Sequence, residues 1–107
     1  MEGLTMLNKY EGKIVKTFAE NLDHYENEQM ELIWEDGSKI VATFDTCFED
    51  ENDYEMDEEG YEEFTSFAFQ AEEVSGNPPV ELSDEGFFLV NYHNFPKEIL
   101  VGGKKIN

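Results

Sequence analysis

The segment from Glu28 to Phe48 limits the fold more than any other part of this chain. It reads EQMELIW, then EDG, then SKIVATFDTCF. Apolar and polar residues alternate on both sides of a short glycine-containing loop, which is the pattern of a β-hairpin. A three-residue loop Glu35-Asp36-Gly37 puts Gly37 in the left-handed conformation that glycine adopts without steric cost. The resulting register pairs Trp34 with Ser38, Leu32 with Ile40 and Met30 with Ala42. It gathers Met30, Leu32, Trp34, Ile40, Ala42 and Phe44 on one face and leaves Gln29, Glu31, Lys39 and Thr43 on the other. A two-residue loop would slip the register by one and scramble both faces.

The other segments are assigned around this hairpin. Leu4 to Tyr10 fits a short helix that Gly12 stops, and Lys13 to Phe18 (KIVKTF) has strand composition. Ala19 to Asn27 is polar and reads as a loop. Glu63 to Val74 fits a strand with Phe67, Phe69 and Ala71 on one face. Ser75-Gly76-Asn77-Pro78-Pro79 and Asp84-Glu85-Gly86 read as turns. Phe87 to Tyr92 is a continuous apolar run expected to be a buried strand, broken by His93-Asn94-Phe95-Pro96. Glu98 to Val101 adds a short strand, and residues 102–107 are expected to fray. The expected fold is mostly β, of α+β type, within a single domain over 1–107. It has a short N-terminal helix and five or six antiparallel strands in a small barrel or curved sheet, with an acidic insertion at 49–63. The GKIV segment, the DG hairpin, the acidic excursion and the final EI strand together resemble small Sm-like barrels, which implies a closed barrel but carries no functional residue across.

Charge narrows the function. Residues 49–63 read EDENDYEMDEEGYEE, with ten carboxylates and no lysine, and so hold more than half of the net charge of −19. All seven basic residues are lysines, so bidentate guanidinium recognition of phosphate is excluded and direct nucleic-acid binding is disfavoured. The aromatic share of 14% is too high for a disordered acidic chain, so an aromatic core with an acidic exterior is expected. The lone Cys47 excludes an intrachain disulfide and a cysteine zinc site, and suits a reducing cytoplasm. The N-terminal residues lack the pattern of a signal peptide, and no stretch is long and apolar enough to span a membrane.

The acidic run admits three readings. As an EF-hand, its best register starts at Glu55 and puts Ser66 where the twelfth-position glutamate is needed; no metal or other cofactor is expected, beyond loosely held calcium. As a nucleic-acid mimic, Glu49, Glu51, Asp53, Glu55, Asp57 and Glu59 alternate. An extended backbone would then project six carboxylates from one face, about 6.6 Å apart. Asp50, Tyr54, Met56 and Glu58 take the opposite face, where Tyr54 and Met56 could anchor to the domain. As a solvated loop, the run only keeps the chain soluble. The candidate partner-binding residues are Glu49, Asp50, Glu51, Asp53, Tyr54, Glu55, Asp57, Glu58, Glu59, Tyr61, Glu62 and Glu63, with Tyr54 and Tyr61 as packing anchors.

No enzyme signature is present. His24 and His93 read as hydrogen-bonded loop histidines, and Cys47 as a small apolar strand residue. In size and charge the chain resembles phage anti-CRISPR and anti-restriction inhibitors. That resemblance implies a non-enzymatic inhibitor that occludes the basic channel of a nuclease. The alternatives are an immunity protein against a basic nuclease toxin and a small-barrel accessory protein with a solubilising loop.

Overall fold

The computed structural model describes residues 9–25, 27–51, 59 and 62–107. One helix, α1 (Lys9–Tyr25), precedes six strands: β1 (Gln29–Ile33), β2 (Lys39–Glu51), β3 (Glu63–Ser75), β4 (Phe87–Val90), β5 (Glu98–Val101) and β6 (Lys104–Lys105). All strand pairs are antiparallel, and the sheet runs in the order β4-β3-β2-β1-β5-β6. The sheet is therefore open and curved, and the closure that a Sm-like barrel would require does not occur.

The hairpin takes the expected register. Met30 pairs with Ala42 and Leu32 with Ile40, and the Trp34 amide donates to Ser38 O at 2.9 Å. Gly37 has φ of 87°. Asp36 Oδ1 accepts from both the Ser38 amide and its hydroxyl, which closes the turn and holds the Asp36 carboxyl below its usual pKa.

The N-terminal region differs from expectation. Lys13–Phe18, expected as a strand, and Ala19–Tyr25, expected as a loop, lie in α1, and the helix runs through Gly12. A glycine in a helix interior costs about 1 kcal/mol relative to alanine. The apolar spacing of Val15, Phe18, Ala19 and Leu22 outweighs it, because all four bury against the sheet. Phe18 is central. Its ring meets Phe67 edge-on at 5.2 Å and Phe95 at 5.7 Å.

Phe67, Phe69, Phe88, Val90 and Ile99 complete this core beneath α1. β4 is an edge strand rather than a buried one. Phe88 and Val90 face the core while Leu89 is exposed. Its outer edge is closed by its own chain: the Ser83 amide donates to Phe87 O, Ser83 Oγ accepts from the Phe87 amide, and Asn94 Nδ2 donates to Leu89 O. The other edge carries two exposed lysines in β6. Both devices discourage strand addition at these edges. The C-terminal segment, expected to fray, is tied down instead. Gly102 and Gly103, both at positive φ, make the turn into β6. Ile106 is buried, its amide donates to Ile99 O, and the Asn107 side chain bonds the Ile99 amide and Lys97 O.

Two irregularities shape the long β2–β3 pair. Register shifts fall between Val41 and Ala42, where Glu72 is the extra residue, and between Phe44 and Thr46, where Asp45 is. The second inverts the alternation of β2. Before it Ile40, Ala42 and Phe44 face the core; after it Cys47 does, opposite Phe67, and Phe48 turns outward. Such bulges also increase local twist.

Candidate partner-binding face

β1 pairs with β2 only as far as Thr43, and β4 pairs with β3 only as far as Phe67. Residues 45–51 and 63–66 therefore extend beyond the neighbouring strands as a two-stranded arm that leads into the acidic run. Glu49 lies opposite Thr65, Asp50 opposite Phe64 and Glu51 opposite Glu63. The last is a like-charge cross-strand pair, an arrangement that opposes folding. Of the acids expected to bind a partner, Glu49, Glu51, Glu59 and Glu63 are exposed, while Asp50 and Glu62 are partly buried. Asp53, Tyr54, Glu55, Asp57, Glu58 and Tyr61, and with them the anchoring roles of Tyr54, Met56 and Tyr61, lie outside the described residues.

Asp50 and Glu62 are held by specific contacts. Asp50 Oδ2 accepts from the fully buried Ser66 hydroxyl at 2.8 Å, and Asp50 Oδ1 accepts from the Glu51 amide at 2.8 Å. Glu62 accepts from the Tyr92 hydroxyl, and its second oxygen meets His93 Nε2 at 2.7 Å. The Tyr92 and His93 rings pack on each other at 4.1 Å, and Phe64 meets the His93 ring edge-on at 5.6 Å. The 91–94 turn is built by Asn91 and Asn94. Asn91 Oδ1 accepts from the His93 amide, and Asn94 Oδ1 accepts from the Asn91 amide. His93 is thus a turn residue that also fastens the far end of the arm, where Glu62 precedes Glu63. Cys47 packs on the core, and His24 lies in the last turn of α1.

Sequence reasoning placed Glu62 among partner-binding acids and missed its link to Tyr92 and His93. A signal existed. Phe67 and Phe69 alternate toward the core and pair with Val90 and Phe88. Continuing that register brings Tyr92 toward Thr65 and His93 toward Phe64.

The Tyr92 hydroxyl, which outweighs the opposing effect of burial, and the His93 ring hold the Glu62 carboxyl below its ordinary value of 4.5. A lowered native pKa contributes stability that is complete above the ordinary value and is lost as pH falls through the native one. Glu62→Gln is therefore expected to be less stable than the parent at neutral pH and to converge with it in strong acid. Chemical denaturation across that range measures this, and a constant gap at every pH would refute it.

Among the described residues no cluster of histidine, cysteine and carboxylate side chains could hold a metal ion, and no helix is long and apolar enough to cross a membrane. The arm carries Asp50 on one side and the exposed Glu49 and Glu51 on the other, with Glu62 held beside the Tyr92 and His93 rings. No curated protein and no solved structure matches the chain. A family model described as "Cognate immunity protein YxxD" matches residues 14–106, from the first turns of α1 through Ile106, and the chain belongs to that family.

Proposed function

We propose that this immunity protein neutralises its cognate toxin by binding it, and that the toxin is a basic, nucleic-acid-directed enzyme met by the acidic β2–β3 arm. Family membership supports the first part. The second part rests on one observation: ten of the chain's acids fall in residues 49–63, and the arm carries the flanking ones outward. An enzyme that acts on nucleic acid needs a cationic surface for phosphate, and a row of carboxylates competes for that surface. Binding alone suffices for protection, because covering the channel excludes the substrate. No observation favours a CRISPR nuclease as the target, and the family match favours a toxin.

The test is co-expression with the cognate toxin. Cells producing both proteins are expected to grow, and cells producing the toxin alone to arrest with degraded nucleic acid. Binding of the purified pair is expected to weaken steeply as salt rises. Arrest in the presence of both proteins would overturn the immunity role. Protection with no salt dependence, or against a toxin that leaves nucleic acid intact, would overturn the acidic-channel mechanism alone.

A further inference from the structure

We propose that the solvent-facing side of β2–β4 carries an apolar anchor, Phe48 with Leu89, that seats a protruding apolar side chain of the toxin between basic ones. This rests on the immunity reading and adds what holds the complex together once it has formed.

Phe48 is 42% exposed and Leu89 41% exposed, and neither belongs to the core under α1. The register places both on the face away from the helix, with Phe48 opposite Ser66 and Leu89 opposite Ala68. Ser66 and Ala68, on the strand between the two large side chains, are small and buried, so the exposed apolar surface here is that of Phe48 and Leu89. The surface continues from Leu89 into an open groove of about 530 Å³ beside β4, also lined by Glu81, Leu82 and Asn91. Leu82 is itself 44% exposed. Single exposed apolar residues are ordinary on any protein. Here Leu89 and Leu82 line the same groove and Phe48 shares Leu89's face of the sheet, and all three stay exposed among the described residues, a grouping that marks a contact site.

Charge selects the occupant. Asp50, fixed by Ser66, is the next outward-facing position of β2 beyond Phe48. Glu81 lines the groove beside Leu82. The exposed apolar residues are thus accompanied by carboxylates on a chain of net charge −19. A second copy would bring the same charges into contact and be repelled, whereas a basic toxin is attracted. The two features then divide the work. The acids speed encounter, and the desolvated apolar contact sets the lifetime of the complex.

Binding kinetics against the immobilised cognate toxin test this. Phe48→Ala combined with Leu89→Ala is expected to raise the dissociation rate about 30-fold or more. The association rate should stay within about twofold. Ile14→Ala and Val74→Ala remove side chains of similar exposure, 44% and 43%, from the helix and from the far end of β3, and serve as controls with unchanged rates. Phe48→Leu should restore most of the lifetime, and circular dichroism should show all variants folded. A double variant that dissociates no faster than the controls would overturn the anchor. So would a dimer of this chain, seen by sedimentation, that Phe48→Ala dissolves. A parent protein that fails to bind or protect would instead remove the immunity reading beneath it.

Discussion

Phe67→Ala is expected to remove about 4 kcal/mol of folding stability. Phe67 is fully buried at the centre of β3, opposite Cys47 and Val90, with the Phe18 ring set edge-on against it at 5.2 Å. Truncation leaves a cavity between helix and sheet that neither can close, since Phe18 also packs on Phe69 and Phe95. Domains of this size are stable by only about 5–15 kcal/mol. The variant should therefore unfold at a much lower urea concentration, with an unchanged slope. The same truncation at the exposed Phe48 should move the midpoint little. Equal losses at the two positions would mean that the packing of α1 on the sheet is not what holds the fold.

Replacing Glu49, Glu51, Glu59 and Glu63 with glutamine is expected to slow association with a basic toxin about tenfold or more at low ionic strength. All four are exposed, so the change leaves the core alone. The effect should shrink as salt is added, because exposed charges are screened over about 10 Å at 0.1 M. Stability should stay within about 0.5 kcal/mol of the parent, because all four positions are exposed. Stopped-flow mixing and thermal unfolding read the two outcomes. A variant that associates as fast as the parent would show that the acids serve solubility and not recognition.

The parts of this fold legible in the sequence were those governed by neighbours in the chain. Gly37 and the alternation around it set the hairpin register, and the Glu98–Val101 strand followed from a short apolar run bounded by a proline and two glycines. The helix was hidden because Ile14, Val15 and Thr17 have strand composition and Gly12 suggests a stop. The 3.6-residue spacing of Val15, Phe18, Ala19 and Leu22 was the stronger signal. The C-terminal strand was hidden because its stability comes from Ile106 reaching a core assembled from distant residues. Of the acidic site, the composition was plain but the supports were not. Ser66 under Asp50, and Tyr92 and His93 at Glu62, depend on strand pairing across long separations. The extra residues Asp45 and Glu72 break an alternation that simple counting assumes continuous.

The extra residue at Asp45 has a consequence for how such a protein can change partners. Beyond it Phe48 and Asp50 look outward while Cys47, Glu49 and Glu51 take the opposite side. Deleting one residue there would leave both sets facing as they do, because Phe69 and Ala68, the partners of Phe44 and Thr46, are already consecutive in β3. The bulge therefore buffers chain length. Loss of one residue at this point is absorbed by straightening the strand, so a lineage changes its outward face by substitution and not by shortening the chain here.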